Sequence, residues 1–556
     1  MVWVWLLAGL LLVGLPLALL YRPLGSYITW VFTAARHNRV ERVIYRLIGV
    51  DADTEQTWPA YLRSVLMFAA AGALVLYGLQ RLQPLLPGSQ GLPGVPPGVA
   101  FNTAISFVTN TNWQSYAPEQ TVGYAVQIAG LTVQNFVSAA TGLAVAVALV
   151  RGFVYAQRGT IGNFWVDLIR GTLRLLLPLA VVGGLLLIAG GTIQNLAGWT
   201  DITTLAGGTQ SLPGGPVASQ EVIKELGTNG GGFFNANAAH PYENPSPLTN
   251  LLQIVLMLLI PFTLPGVFGR MAADKRQGWA ILAAMAIMAV GSLIVLTALE
   301  AQAGGTAPQL AGAAMEGKEQ RFGLVGSVLY SATTTLTSTG AVNSMLDSYT
   351  ALGSAPLLLN MLLGEIAPGG VGSGLYGMLV IAVITVFIAG LLVGRTPEYL
   401  GKKLGPRQIK LASLSILVMP ALVLAGVGLS FVVPGVRQSV EAALGNSGPH
   451  GLTEVLYAFT SAANNNGSAF TGLDAGGSWF VVALGVVMLL ARFVQIALVL
   501  SLAGSLAEQE VVPTTAGTLP THGPLFAGLL IAVSLVVAAL VFFPVLTLGP
   551  LAEGLH

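Results

Sequence analysis

Long apolar stretches alternate with short polar ones along nearly the whole chain. A run of about 20 apolar residues is long enough to cross a bilayer as a helix. Such runs fall near 2–21, 62–82, 123–149, 171–191, 248–268, 279–299, 356–394, 411–433, 478–503 and 525–548. They predict ten spans, with 356–394 taken as one interrupted span. The first run, Val2–Tyr21, lacks a basic leader and an obvious small-residue cleavage site, and arginines follow it, so it reads as a retained span with its N-terminus outside. After the second, fourth, sixth and eighth spans the same sub-pattern returns: a Gly/Pro-rich loop, an apolar segment of half-span length, and a polar run. The loops are Pro84–Gly98, Gly207–Pro216, Ala303–Ala314 and Pro434–Gly451. The polar runs are TNTNWQSY (Thr109–Tyr116), TNGGGFFNAN (Thr228–Asn237), TSTGAVNSM (Thr337–Met345) and NNNGSAF (Asn464–Phe470). Their starts lie 119, 109 and 127 residues apart, a roughly regular spacing.

Polar, Gly-rich backbone at membrane depth is tolerated only where it is buried in protein or lines a cavity. Four such runs suggest four loops converging on one axis, which is how carbonyl oxygens build a cation filter. A carbonyl turns inward when the backbone adopts a positive φ, which glycine accepts freely and asparagine tolerates best among the others. The positions suited to this are Gly230, Gly231 and Gly232, then Gly340, then Gly467, with Asn112 standing where the first run has no glycine. The candidate ligand-bearing residues are Thr109, Asn110, Thr111, Asn112 and Gln114; Thr228, Asn229, Gly230 and Gly231; Thr337, Ser338, Thr339 and Gly340; and Asn464, Asn465, Asn466 and Gly467. Hydroxyls of Thr109, Thr228 and Thr337 are expected at the inner end. No carboxylate lies in the four cores, which suits a monovalent cation better than a divalent one.

The interrupted run is too long for one helix: 40 residues at 1.5 Å each give roughly 60 Å, about twice the hydrocarbon thickness. Its break, GEIAPGGVGSG (Gly364–Gly374), contains Gly364, Glu365, Pro368, Gly369, Gly370 and Gly372. Proline and glycine oppose helix there. A non-helical stretch below the filter is a candidate barrier, or a re-entrant loop that only packs. Arg492 lies in the middle of span nine. A cation at that depth is costly and calls for a partner near the pore or at a subunit interface, with Glu365 and Asp347 as candidates.

Composition narrows the class. The chain has 556 residues, 54% hydrophobic and 8% charged, far below the roughly one quarter charged of soluble domains. This is a polytopic membrane protein without a separate soluble domain. A net charge of +1 argues against a nucleic-acid partner. With no cysteine there are no disulfides or thiolate sites, and the five histidines are not paired at metal-ligand spacing, so a structural zinc site is not expected and potassium is the only metal read from the sequence. Of 24 Lys and Arg, 18 fall at the end of the spans away from the polar runs, five at the other end, and Arg492 within a span. The positive-inside rule then puts all four runs toward the outside. The inner loop 505–524 fits less well, carrying Glu508 and Glu510 but no Lys or Arg. Neither a GxxxxGK[ST] loop nor a DKTG motif occurs, so no nucleotide is expected to bind this chain. An intramembrane protease would need a Ser–His pair, an Asp pair or HExxH within spans, and none is found.

GTNGGGFFNANAAHPYENP (Gly227–Pro245), TNTNWQSY, TSTGAVNSM and SAANNNGSAFTGL (Ser461–Leu473) resemble the four filter segments of the KdpA family, the potassium-binding subunit of the bacterial potassium-transporting P-type ATPase. The resemblance is collinear over essentially the whole chain. It implies a fourfold pseudo-symmetric, potassium-channel-like pore in the bacterial plasma membrane. It also implies a complex with a P-type ATPase catalytic subunit and two smaller membrane subunits, with ATP hydrolysed by that other chain. Gln114, Gly230, Gly340 and Gly467 match family residues that shape ion affinity and selectivity; Asn112 departs from the glycine pattern and makes the filter less symmetric. The resemblance also favours a gating role for the break in span seven.

The expected fold is all-α and polytopic, with four pseudo-repeats of span, pore helix, filter loop and span. The expected partition is an extra helix and inner loop in 1–60, repeats in 61–150, 151–270, 271–400 (with the gating loop) and 401–510, and an extra helix in 511–556. The expected function is capture of outside potassium and delivery to an ATPase subunit. The alternative is a self-sufficient potassium channel or secondary transporter.

Overall fold

The computed structural model describes residues 1–302, 315–513 and 518–555. The expected loop at Ala303–Ala314 lies outside the described residues. Among the described residues, ten helices are long and apolar enough to cross a membrane: Val2–Thr33, Trp58–Arg81, Val126–Val154, Phe164–Ala189, Pro247–Met271, Lys275–Glu300, Ser373–Leu392, Pro406–Val432, Ser478–Ala507 and Pro524–Leu548. The protein is a mostly helical, multi-pass membrane protein. The first helix runs 12 residues beyond the apolar run, to Thr33. Beyond Tyr21 the pattern becomes amphipathic, and Leu24, Ile28, Val31 and Phe32 continue the buried stripe past Pro23.

Burial sorts the spans into an inner set and a rim. Every residue from Ser138 to Phe153 of the third span is buried, and Ser373–Leu392 is nearly as enclosed. The first helix instead exposes Trp3, Trp5, Leu11 and Leu15 on its outer face, and the tenth exposes Leu525, Leu540 and Phe543. In a bilayer an apolar outer face costs nothing, so these rim helices read as hydrophobic all round.

Four short helices precede the polar runs: Pro97–Val108, Val217–Leu226, Gly323–Leu336 and Gly448–Asn464. They are half-length, and each follows an even-numbered span. Proline at the first turn starts the first and last of them, where the missing N–H is no loss. The Gly/Pro-rich lead-ins are not bare loops. The second holds part of a two-stranded hairpin, Thr200–Thr203 with Thr209–Leu212, and the fourth begins with a helix, Pro434–Ala443. The interrupted span is a helix Ala351–Leu362, a break, and the helix Ser373–Leu392.

Candidate ion-binding site

The four polar runs share one backbone design. Each contains a pair of left-handed residues two positions apart: Asn110 (64°) and Asn112 (56°), Thr228 (47°) and Gly230 (79°), Ser338 (56°) and Gly340 (88°), Asn465 (57°) and Gly467 (98°); the second run adds Gly231 (72°) and Asn237 (50°). In extended chain successive carbonyls point to opposite sides; a left-handed residue at every second position reverses alternate peptide planes and brings them to one side. The residue between each pair donates its N–H to the carbonyl five positions back: Thr111 to Ser106 (2.9 Å), Asn229 to Lys224 (2.8 Å), Thr339 to Thr334 (3.2 Å) and Asn466 to Ser461 (2.9 Å). The next N–H reaches back six positions to the same residue, to its carbonyl at Ser106 and Lys224 and to its hydroxyl at Thr334 and Ser461. Each half-helix end thus clamps its loop in the same way.

These pairs correct one detail of the sequence alignment. Thr228 stands level with Asn110, Ser338 and Asn465, and it is Gly227 that stands level with Thr109 and Thr337. The run of three glycines hides the register, because any of them accepts a positive φ. Thr228 Oγ1 accepts the Val371 N–H at 2.8 Å, so it faces the break in span seven. Thr109 and Thr337 donate their hydroxyls to their own half-helices and lie 2.8 Å from the hydroxyls of Thr111 and Thr339.

The loops close into a ring. A Cβ on Gly230 would strike the Thr339 carbonyl, one on Gly340 the Asn466 carbonyl, and one on Gly467 the Thr111 carbonyl. The fourth junction is made by Asn112, whose Nδ2 donates to the Gly230 carbonyl at 3.1 Å and to Asn135 Oδ1 at 2.6 Å. Asparagine therefore supplies here both the positive φ and a strut between loops one and two. Further cross-loop bonds run from Asn110 to the Thr228 carbonyl (2.9 Å), from Ser338 to the Asn464 carbonyl (3.0 Å) and from Asn465 to Thr111 Oγ1 (3.0 Å). Asn229 Nδ2 reaches Asn110 Oδ1 at 2.5 Å. Gln114 brackets Gly232, accepting its N–H at 3.0 Å and donating to its carbonyl at 3.3 Å; Gly231 packs beside it against Asn112.

Acidic and basic side chains stand behind the ring rather than in it. Glu365, buried in the break, accepts from Asn466 Nδ2 at 2.7 Å and from Ser338 Oγ. Behind loop two, Lys224 is enclosed by Glu221 (2.7 Å), Glu243 (2.5 Å) and Glu225 (3.9 Å), all at most 1% exposed. Sequence reasoning missed this cluster. Its signal was three charges in the ten residues of Val217–Leu226, too many for an apolar half-span without partners.

The break lies against the starts of loops two and three, next to their half-helices. Gly369 N–H donates to the Leu336 carbonyl at 3.0 Å, a Cβ on Gly370 would sit 3.0 Å from Ser338 Cβ, and Gly372 abuts the Gly142 backbone. Gly364, Glu365, Gly369 and Gly372 all have positive φ, which explains why no helix forms there; Gly374 packs on the Pro368 backbone. Arg492 pairs with neither expected carboxylate. Glu365 is turned toward the ring and Asp347 is bound to His450, while Arg492 Nη1 meets the Tyr376 hydroxyl at 3.4 Å. Arg492 lines a cavity beside the break together with Ser338, Gly364, Asn464 and Asn465.

Comparison with known proteins agrees with this architecture. Over 87% of this chain and 95% of the other, the fold is similar to the potassium transporter TrkH of Vibrio parahaemolyticus, with a TM-score of 0.51 at 16% identity. Proteins named potassium-transporting ATPase potassium-binding subunit are 67% identical in Clavibacter sepedonicus (99% of each chain) and 63% identical in Cutibacterium acnes (100% of each chain). The family model described as potassium-transporting ATPase A subunit, KdpA, matches residues 11–555. A match of that extent, with relatives of such identity over the whole length, places the chain in the KdpA family of potassium-transporting ATPase A subunits.

Proposed function

We propose that the four-loop ring is a potassium filter facing the outside of a bacterial plasma membrane, and that this subunit passes the ion to the catalytic subunit of an ATP-driven uptake complex. The observation that carries the reading is the ring itself, with four left-handed pairs, backbone carbonyls at every junction and no carboxylate among the lining residues. Carbonyl dipoles replace the water shell of a monovalent cation. The 18-to-5 distribution of Lys and Arg supports the orientation. The partition into four repeats, 61–150, 151–270, 271–400 and 401–510, with helices 1–60 and 511–556 added, follows the four half-helices. Two smaller membrane subunits complete the complex, as the family resemblance implies.

Gly364–Gly374 is the barrier in this reading. It sits against Thr228, Thr337 and Ser338 at the inner end of the ring, where a straight path to the cytosol would run. The ion then leaves sideways, through the cavity lined by Asn464, Asn465 and Arg492, toward the ATPase subunit. Deleting Gly369–Gly372 is expected to give passive potassium flux without ATP in proteoliposomes holding the assembled complex; a deletion variant that assembles yet shows no flux overturns the barrier. The likeness to a potassium transporter fold keeps a second reading in play, a self-sufficient channel or secondary transporter. Copurification of a P-type ATPase chain, with no ATP hydrolysis by this subunit alone, separates the two.

A further inference from the structure

At the end of the molecule where the half-helices begin, three segments far apart in sequence meet at one imidazole. His450 and Glu454 lie four residues apart on one face of the helix Gly448–Asn464. Asp347 comes from the short helical turn Leu346–Ser348 after loop three. Glu553 comes from the last helix, Pro550–Leu555. Asp347 Oδ1 is 3.0 Å from His450 Nε2, and Glu553 Oε1 is 2.9 Å from Nδ1. Ligand atoms of Asp347, His450 and Glu454 all lie within 4.8 Å of one another.

The charge balance of this cluster is the decisive feature. Three carboxyl groups surround one imidazole, so with all three ionised the cluster carries an excess of two negative charges even when the ring is protonated. Among the described residues no Lys or Arg forms an ion pair with any of the three. Glu454, fully buried, receives only the Gly445 N–H (3.1 Å) and the Asn446 amide (3.0 Å). One oxygen of Glu553 is buried with no hydrogen-bond partner. The carboxylates converge on Gly472, where a Cβ would meet Asp347 Oδ2 and sit 3.1 Å from Glu454 Oε1. An excess of two negative charges in a partly buried pocket calls for a divalent cation.

The donor set selects the class of cation. One imidazole nitrogen with carboxylate oxygens suits a borderline metal of the zinc type, whereas calcium and magnesium prefer oxygen alone. The second ring nitrogen already donates to a carboxylate, the arrangement that fixes the tautomer and orientation of metal-binding histidines. We propose that Asp347, His450 and Glu454 form a site for a divalent transition metal, with Glu553 orienting the imidazole. The ion takes the place of the proton between His450 Nε2 and Asp347 Oδ1. It would clamp the segment after loop three to the start of the helix that carries loop four, and fasten the C-terminal helix to both. This site is separate from the ring, and its test does not depend on the potassium reading.

The test uses the full chain in detergent, stripped with chelator and titrated with zinc chloride. Bound metal is read by elemental analysis and stability by thermal unfolding. The expected result is one zinc per chain and a higher unfolding midpoint. His450→Ala is expected to abolish both effects. Glu553→Gln removes no ligand and should weaken zinc roughly 10–100-fold; it decides the matter if His450→Ala does not fold. Absence of saturable zinc binding by the wild-type chain, calcium binding as tightly as zinc, or a folded Glu553→Gln variant with unchanged affinity would each overturn the site.

Discussion

Asn466 Nδ2 donates to Glu365 Oε1 over 2.7 Å, joining the fourth loop of the ring to the break in span seven. The other oxygen of the same carboxylate takes the Ser338 hydroxyl of the third loop. One buried side chain therefore holds two loops of the ring to the proposed barrier. Glu365→Ala removes both of these bonds, at about 0.5–1.5 kcal/mol each, leaving Asn466 Nδ2 with the Thr334 carbonyl (2.9 Å) and Ser338 with the Asn464 carbonyl (3.0 Å). The half-saturating potassium concentration for ATP hydrolysis by the assembled complex should rise tenfold or more. An unchanged value would mean that the ring holds its shape without this link.

The ring junctions are not equally tolerant of side chains. Gly467 has a φ of 98° and its Cα faces the Thr111 carbonyl, so Gly467→Ala incurs both strain and collision. Asn112→Gly loses the strut to Gly230 but keeps an easy positive φ. Potassium affinity and discrimination against rubidium or ammonium should fall sharply in the first variant and by less in the second. Gly230→Asp adds a charge beside the Thr339 carbonyl and should weaken selectivity as well. Equal effects in Gly467→Ala and Asn112→Gly would contradict the junction geometry.

Lys224 is the only cation ion-paired with Glu221, Glu225 and Glu243 among the described residues. Removing one partner from such a buried set typically costs roughly 3–5 kcal/mol. Lys224→Met should lower the unfolding midpoint of the purified chain strongly. It should also disturb potassium binding, because loss of the ion pairs loosens the half-helix end whose Lys224 carbonyl accepts the Asn229 and Gly230 N–H groups. A melting curve matching wild type counts against the cluster as a structural support.

Much of this arrangement was legible in the chain itself, for definable reasons. Spans announce themselves because lipid demands some 20 consecutive apolar residues. The break in span seven was visible because five glycines and a proline crowd the eleven residues Gly364–Gly374, and together they oppose helix. Glu365 was different: its role depends on a turn through positive φ that aims it at the ring, and no local pattern records that direction. The Thr228 register was hidden by its neighbouring glycines. The His450 cluster unites residues about 100 positions apart on either side, so the His-to-His spacing that usually reveals a metal site had nothing to show.

Outside the spans, Glu41 gives a pH test. It is buried in the helix Arg39–Leu47 and bonded twice to Arg174, through Nε and Nη2 at 2.5 Å each. Burial works to raise its pKa, but the Arg174 hydrogen bonds outweigh this and hold it below the ordinary carboxylate value. A depressed folded-state pKa adds stability above the unfolded value near 4.5, and that stability is lost as pH falls through the folded value. The unfolding midpoint of wild type should exceed that of Glu41→Gln at pH 7, and the gap should narrow as pH falls below the ordinary carboxylate value of 4.5. A gap that stays constant would remove Glu41 as its source.

Loops one and three pair threonine hydroxyls, Thr109 with Thr111 and Thr337 with Thr339, whereas loops two and four place Gly227 with Asn229 and Asn464 with Asn466 at those levels. Because all four loops belong to one polypeptide, a single codon change alters one quarter of the ring and leaves three quarters intact. In an assembly of four identical subunits the same change would strike every quadrant at once. A one-chain ring can thus be adjusted in small steps, each quadrant free to acquire duties of its own. The strut at Asn112 and the carboxylate behind loops three and four are duties of that kind, held by single quadrants.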